Sequence, residues 1–216
     1  MADFSSSRAV RPSSVATRKH WEEVYRSRDD ELSWFQSTPS LSLELVERYA
    51  RPESRILDAG GGSSRLAEQL WHHGFRFLTV VDVSQEALRR ARSRLPRSAR
   101  SIRWRQADLT TECRLGRLNL WHDRAVFHFL THELARNAYL KNLERSLEAG
   151  GIAIVATFAR DGPSTCSGLP VQRYSSGILA RTFGPRFKLQ LARRERHRTP
   201  WGTIQPFVYS VLQKTG

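Results

Sequence analysis

The chain has 216 residues, 39% of them hydrophobic, and its 35 Lys and Arg residues outnumber 21 Asp and Glu residues to give a formal net charge of +14. This length predicts one domain around one core, and the lack of an apolar run of about 18 residues excludes a transmembrane helix. The positive charge would suit nucleic acid, but the arginines are spread over the whole chain, so nucleic-acid binding is the minor alternative.

Residues 1–17 are rich in Ser and Arg and lack the apolar centre of a secretory signal. They predict a flexible arm ahead of a single domain at residues 18–216. The two cysteines, Cys113 and Cys166, are too few for a disulfide framework or a cysteine-based zinc site. A reducing, cytoplasmic location is therefore expected.

From residue 55 onward, apolar runs typical of strands alternate with patterns typical of helices. One helix pattern is capped by Ser84 and stopped by Pro96, and a later, longer one is expected to end at Gly150 and Gly151. The predicted strands are residues 55–60, 77–82, 102–106, 118–122 and 152–158, followed by a closing pair at 187–197 and 205–212.

This alternation predicts an α/β fold, with a doubly wound, mostly parallel sheet covered by helices on both faces. The short Pro/Gly turn between the last two strands makes that pair antiparallel. Ligands of such sheets bind outside the carboxyl ends of the strands, so the functional residues are expected directly after each strand.

A glycine-rich loop, DAGGGSS, follows the first strand from Asp58 to Ser64. A dinucleotide-binding G-x-G-x-x-G would need a glycine at position 65, where the chain has Arg65, so that fingerprint fails. The alternative spacing, acid-x-G-x-G-x-G, fits with Ser64 in the place of the third glycine. The loop alone is a weak signal, because glycine turns between strands and helices are common.

Acidic residues end the next two strands. Asp82 offers two acceptor oxygens to the two hydroxyls of a ribose, although it could also be a simple turn residue beside Ser84. Asp108, after the third strand, could accept a hydrogen bond from an adenine amino group. Three acids and a glycine loop at successive strand ends form a stronger signal than any one of them.

The segments LDAGGGSSRL, VVDVS and ADLT resemble the first three motifs of the class I S-adenosylmethionine-dependent methyltransferases in order and spacing. The resemblance runs from about residue 18 to the end. It implies a Rossmann-like, seven-stranded sheet in the order 3-2-1-4-5-7-6 with strand 7 antiparallel, and S-adenosylmethionine as cofactor. It places Asp82 at the ribose and the loop at the methionine part. The implied cofactor-binding residues within the motifs are Asp58, Gly60, Gly61, Gly62, Ser64, Asp82, Val83, Asp108 and Leu109.

The segment HWEEVYRSRDDELSWFQ resembles an aromatic lid that several methyltransferase subfamilies carry before the first strand. Its expected bounds are residues 18–40. Trp21, Tyr25, Trp34 and Phe35 match that pattern, and aromatic faces beside a sulfonium cation are favourable by roughly 0.5–2 kcal/mol. The alternative is that these rings only cap the edge of the sheet.

The stretch WHDRAVFHF after the fourth strand is the expected reacting end. It resembles both the D-K-G-T-type protein-lysine methyltransferases and the W-D-R-A stretch of thiopurine-type methyltransferases. We expect Asp123 to orient or deprotonate the acceptor and Arg124 to face it, with His122 and His128 as further candidates. A purely structural Asp123–Arg124 ion pair and a locally bonded His128 are the alternatives. No metal site is expected, since no ligand set of known spacing completes one.

The 17-residue loop ARDGPSTCSGLPVQRYS and the last turn offer substrate contacts, for which Arg173, Tyr174 and Trp201 are the candidates. A small-molecule acceptor (a thiol, selenol or amine) is the favoured hypothesis, because the chain has no appended recognition domain. A protein lysine is the alternative within the same reaction. A non-catalytic nucleic-acid-binding protein on this fold is the alternative of another class. The oligomeric state stays open.

Overall fold

A computed structural model describes residues 18–26 and 32–216, so the predicted arm at residues 1–17 lies outside the described residues. Two short 3-10 turns, at 97–101 and 127–129, join the elements. The helices are α1 Arg18–Val24, α2 Ser40–Tyr49, α3 Leu66–His72, α4 Gln85–Ser93, α5 Glu133–Ser146 and α6 Ser176–Phe183. The strands are β1 Ile56–Ala59, β2 Leu78–Asp82, β3 Arg103–Gln106, β4 Leu118–Arg124, β5 Leu147–Phe158, β6 Thr165–Cys166, β7 Leu169–Pro170, β8 Phe187–Arg198 and β9 Ile204–Lys214.

Seven strands form one sheet in the order β3-β2-β1-β4-β5-β9-β8. Strands β1 to β5 pair in parallel, whereas β9 runs antiparallel to both β5 and β8. Since β6 and β7 form a separate two-stranded hairpin, this is the expected order 3-2-1-4-5-7-6 with its antiparallel seventh strand. The predicted Rossmann-like architecture is confirmed.

The central strands are buried on both faces, as their continuous apolar runs predict. Ile56 of β1 points into a cluster shared with α2 and α3, whereas the next residue, Leu57, points into a cluster shared with α5 and α6. Trp121 of β4 and Tyr139 of α5 are fully buried in this second cluster. The alternation of side chains along each strand thus builds one core layer on each side of the sheet.

The long helix predicted to end at Gly150 and Gly151 in fact ends at Ser146. The next residue, Leu147, is extended and pairs with Leu118 of β4, so the strand takes over the chain four residues early. The two glycines lie in an irregular stretch of β5, where Gly150 has a φ of +75°. Lys214 Nζ donates to main-chain oxygens at the end of α5, satisfying carbonyls that the helix leaves free.

Four other elements depart from the sequence analysis. Helices α2 and α6 were not predicted, and the 17-residue loop after β5 contains the β6–β7 hairpin. Strand β4 continues past His122 through Arg124, so the expected reacting end is partly strand. Among the described residues, no helix has the length and apolar composition needed to cross a membrane.

Ser84 caps α4 and also joins it to α1. Its Oγ accepts from the main-chain N–H of Ala87 at 3.1 Å and donates to Glu22 Oε2 at 2.9 Å. The other Glu22 oxygen accepts from Gln85 N at 2.8 Å. One serine therefore satisfies the start of α4 and holds the helix that precedes the sheet.

Replacing this cap should destabilise the fold measurably. We expect Ser84→Ala to lower the free energy of unfolding by about 1 kcal/mol, since an N–H at the helix start loses its acceptor. Urea unfolding followed by circular dichroism measures this. Ser93→Ala, at the exposed end of the same helix, is the matched control and should change it by less than about half as much. Equal effects of the two substitutions would contradict the capping role.

Candidate active site

A pocket opens at the carboxyl ends of β1, β2, β3 and β4, where the topology predicts a ligand site. The residues that follow the strands make its floor, and the segment before β1 makes one wall. Its lining includes fourteen of the residues that the sequence analysis singled out: Trp21, Tyr25, Trp34, Phe35, Asp58, Gly60, Gly61, Ser64, Asp82, Val83, Asp108, Leu109, His122 and Arg124.

The glycine loop packs so closely on the ends of the strands that a side chain on Gly61 would collide with its neighbours. A Cβ on Gly61 would lie 2.7 Å from Asp58 Oδ2 and 2.5 Å from a methyl carbon of Val80. Gly60 has a φ of +61°, a left-handed conformation that favours glycine. Ser64 closes the turn, because its N–H donates to Gly61 O at 2.8 Å. Serine in the third glycine's place therefore does not obstruct the pocket.

Asp82 is the buried carboxylate at the end of β2. Its Oδ1 accepts from Ser84 N at 2.8 Å, and the main chain of Gly62 gives it a second hydrogen bond. Burial raises the pKa of Asp82 to about 7; these two bonds oppose the shift, and the neighbouring Asp58 adds to it. A ligand that brings hydroxyl donors here would favour the ionised form.

Asp58 ends β1 and is also buried, at 6% exposure. Its Oδ1 lies 2.7 Å from His122 Nδ1, whereas its Oδ2 is buried without a hydrogen-bond partner among the described residues. A buried carboxylate oxygen without a donor is costly, so this atom fits a ligand that carries a positively charged or N–H group.

Asp108 and Leu109 follow β3 at the other side of the pocket. Asp108 is exposed, and its Oδ1 accepts from both the N–H and the hydroxyl of Thr110 at 2.8 and 2.7 Å. Leu109 is buried at 6% exposure and packs beneath. Together they give the apolar floor and polar edge that a flat heterocycle needs.

Aromatic rings form the wall opposite the glycine loop. The ring centroid of Trp21 lies 4.9 Å from that of Phe129 and 6.0 Å from that of Trp34, in edge-to-face arrangements. Tyr25 contacts both tryptophans. Residues 27–31 of the predicted lid lie outside the described residues, but its aromatic positions all line the pocket.

The structure places Asp123 differently from the expectation that it acts on the acceptor. Its carboxylate is fully buried and accepts from Val126 N at 2.9 Å, Phe127 N at 3.1 Å and Tyr139 Oη at 2.5 Å. Burial raises its pKa to about 6, an effect that these hydrogen bonds oppose. Ala125, with a φ of +73°, turns the chain so that both main-chain donors face the acid. Asp123 therefore holds the turn, and it does not line the pocket.

His122 and Arg124 line the pocket but are held by other side chains. His122 lies between Asp58 and Ser42, 2.7 and 3.0 Å away. The alternative of an Asp123–Arg124 ion pair does not fit the structure, because Arg124 pairs with Glu195 at 3.3 Å. The guanidinium also stacks over the ring of Phe207, 4.5 Å from its centroid. Neither side chain reaches the pocket free of partners.

Besides Asp123, the predicted residues Gly62, His128, Arg173, Tyr174 and Trp201 lie outside the pocket lining. His128 is fully buried against aromatic rings, and burial lowers its pKa to about 3; its Nδ1 accepts from Phe158 N. Tyr174 is buried against Phe127, and Trp201 is 61% exposed at the β8–β9 turn. The exposed Arg173 donates to a main-chain oxygen of its own loop. The expectations that these four side chains meet the substrate are not supported by the structure.

Some lining residues carried no sequence signal. Ser42 lies on α2, which was not predicted, and Tyr139 lies on α5, far from any motif. Phe129 and Leu130 lie at and directly after the end of the WHDRAVFHF stretch, in which only the charged and histidine residues were site candidates. Only their place in the folded chain reveals them.

Comparison with known proteins identifies a domain within the chain. A family model described as a methyltransferase domain matches residues 56–151, the segment that carries the glycine loop and all three acids. The chain carries a methyltransferase domain. The described residues contain no group of three or more His, Cys, Asp or Glu side chains arranged to hold a metal ion.

The curated relatives of this domain are distant. It is similar to the "eEF1A lysine and N-terminal methyltransferase" of Danio rerio, 26% identical over 147 residues, which are 66% of this chain and 21% of that protein. It is also similar to "EEF1A lysine methyltransferase 2" of Mus musculus, 24% identical over 163 residues, which are 68% of this chain and 67% of that protein. The chain thus spans about a fifth of the length of the first relative.

Solved structures share the fold. A Burkholderia thailandensis 1,6-didemethyltoxoflavin-N1-methyltransferase with bound S-adenosylhomocysteine has a TM-score of 0.66 at 19% identity, covering 82% of this chain and 78% of its own. The N-methyltransferase NodS of Bradyrhizobium japonicum has a TM-score of 0.65 at 19% identity, covering 82% and 94%. S-adenosylmethionine is the cofactor of the family. The residues present fit it, since the partnerless Asp58 Oδ2 and the cradle at Gly61 suit a charged methionine end.

Asp82 should make ligand-free stability depend on pH. Its folded pKa of about 7 lies above its usual value of 3.8, so the folded state binds the proton more tightly than the unfolded chain does. The free energy of unfolding therefore falls as the pH rises from about 4 through 7. Asp123, whose pKa is about 6, adds to this in the same direction.

Asp82→Asn should remove most of this dependence. We expect the variant to be more stable than the wild type at pH 8, by on the order of 2–4 kcal/mol, and to gain less at pH 5. Urea unfolding at both pH values measures this. The control Asp161→Asn, at an exposed carboxylate, should bring no gain at pH 8. If the gain in the free energy of unfolding over wild type were smaller at pH 8 than at pH 5, the burial penalty on Asp82 would be ruled out.

Proposed function

We propose that the protein transfers the methyl group of S-adenosylmethionine to an amine nitrogen, and that the acceptor is a lysine side chain of a protein. The supporting observation is the aromatic wall of the pocket, in which Trp21, Trp34 and Phe129 face the acidic ends of the strands. Both curated relatives carry lysine methylation in their names, which favours the alternative of the sequence analysis over a small-molecule acceptor.

The cofactor-binding roles follow from the geometry of the pocket floor. In this proposal Asp82 accepts from the two ribose hydroxyls, and Asp58 Oδ2 accepts from the ammonium group of the methionine part. Leu109 and Asp108 take the adenine face and its amino group. When bound, the cofactor supplies an already activated methyl group. The protein therefore needs to align the acceptor with that methyl group and to keep water out of the site.

The aromatic wall supports an amine acceptor for a physical reason. Rings attract a sulfonium cation, and a lysine side chain fits between them by its alkyl stem. An ammonium group beside a bound cation, in a site with little water, has a lowered pKa. The acceptor therefore loses its proton to solvent before transfer. The site needs no side-chain base, which agrees with the hydrogen bonds that already occupy Asp123 and His122.

A small-molecule acceptor is the second candidate. It was the favoured hypothesis of the sequence analysis, and it is supported by fold neighbours such as the toxoflavin-precursor methyltransferase, although their low identity speaks for the fold alone. Incubating purified protein with radiolabelled S-adenosylmethionine and an extract of its source cells separates the two. A labelled protein band supports the lysine proposal if the band is missing when the lysines of the extract have been acetylated before the reaction. Label found only in the small-molecule fraction overturns it.

The aromatic wall can be tested by comparing two ligands. We expect Trp21→Leu to weaken binding of S-adenosylmethionine about three- to tenfold more than binding of S-adenosylhomocysteine, because only the first carries a sulfonium cation. Calorimetric titration of both ligands measures the ratio.

Trp201→Leu, at an exposed tryptophan outside the pocket, is the control and should leave that ratio unchanged. Equal weakening of both ligands by Trp21→Leu would mean that the ring acts only by apolar contact.

A further inference from the structure

Five side chains connect the cofactor pocket to the segment that carries Trp34. Arg124 Nε donates to Tyr209 Oη at 3.1 Å, and Tyr209 Oη lies 3.1 Å from Ser42 Oγ. Ser42 Oγ lies 3.0 Å from His122 Nε2, and His122 Nδ1 lies 2.7 Å from Asp58 Oδ1. We call Arg124, Tyr209, Ser42, His122 and Asp58 the buried relay.

The hydrogen bonds of the buried relay are consistent when they run in one direction. Arg124 can only donate, and a carboxylate can only accept. Tyr209 Oη then accepts from Arg124 and donates to Ser42, whose hydroxyl donates to His122 Nε2. The imidazole in turn donates from Nδ1 to Asp58. Burial raises the pKa of Tyr209 to about 12, which keeps its donor proton at neutral pH. Bonds aligned in this way strengthen one another.

The two ends of the buried relay meet different parts of the pocket. At one end His122 occupies Asp58 Oδ1, which leaves Oδ2 buried and without a partner in the described part of the chain, on a residue that lines the pocket. At the other end Arg124 donates from a second nitrogen to the main-chain oxygen of Trp34 at 2.9 Å. Glu195 fixes that end, since it lies 3.3 Å from the guanidinium and accepts from Gln36 at 2.9 Å.

We propose that the buried relay is a positioning unit that couples the orientation of Asp58 to the placement of the segment at residues 32–39. Within the described residues, its interior members, Ser42 and Tyr209, make no hydrogen bond to the rest of the pocket lining except through the relay. They act through His122 at one end and through Arg124 at the other. A ligand that engages Asp58 Oδ2 therefore also orders the wall that carries Trp34. This inference rests on the proposed binding of S-adenosylmethionine.

The test uses Tyr209→Phe, which keeps the ring and removes only the hydroxyl that joins Arg124 to Ser42. We expect it to weaken S-adenosylhomocysteine binding about tenfold, the size expected when buried polar groups lose a partner. Binding of 5′-methylthioadenosine, which lacks the methionine ammonium group, should weaken by less than about twofold, within the spread of additive effects. Tyr49→Phe, a partly buried tyrosine outside the relay, is the matched control and should change neither affinity.

Hydrogen exchange gives the second readout. In the wild type, S-adenosylhomocysteine should protect residues 32–39, and in Tyr209→Phe this ligand-induced protection should be lost while that at the start of α4 remains. Should Tyr209→Phe fail to fold, Ser42→Ala removes the adjacent link and has the same expected results.

The outcomes separate this inference from the proposed function. Wild-type protein that binds neither ligand would overturn both. Wild-type binding of S-adenosylhomocysteine with an unchanged affinity in the relay variant would overturn the relay alone. Equal weakening of both ligands would show that the hydroxyl serves only general stability, and would likewise overturn it.

Discussion

Burying carboxylates at the ends of apolar strands is the constraint on which the structure depends. Asp58, Asp82 and Asp123 end β1, β2 and β4 and are all nearly or fully removed from water. Each needs donors, because an isolated buried charge is costly. Asp123 receives them from its own turn and Tyr139, and Asp82 from the loop and the start of α4. Asp58 keeps one oxygen without a partner among the described residues, and this residue lines the pocket.

This distribution of donors separates structural acids from ligand-binding ones. Asp123 accepts three hydrogen bonds from the protein and lies outside the pocket lining, whereas Asp58 lines the pocket and keeps a partnerless oxygen at an energetic cost. The raised pKa of Asp82 reflects the same cost. Part of the stability of the sheet is thus given up in the free protein and restored when a ligand brings donors, a common balance between stability and binding.

The sequence predicted the sheet and most of the pocket floor, because strand ends can be located from apolar runs and the acids follow them directly. It did not predict what holds those acids. Ser42 and Tyr209 are 167 residues apart in the chain yet meet in one hydrogen bond, and no local pattern reports such a contact. It also placed Asp123 and Arg124 at the reacting end, because they end the fourth strand in a stretch that resembles two methyltransferase motifs, whereas in the structure other protein groups hydrogen-bond both side chains. The predicted end of α5 was also wrong because of a contact distant in sequence, since pairing of Leu147 with β4 overrides the helix pattern.

The turn at Ala125 has a consequence for how relatives are compared. A non-glycine residue with a φ of +73° is maintained only if its surroundings over-determine it, and here the acid before it clamps the next two main-chain N–H groups. An acid at the end of the fourth strand is then required by the backbone path, whatever the chemistry performed nearby. Retention of this acid among enzymes with different acceptors would therefore trace the inheritance of a bend in the chain rather than of a catalytic base.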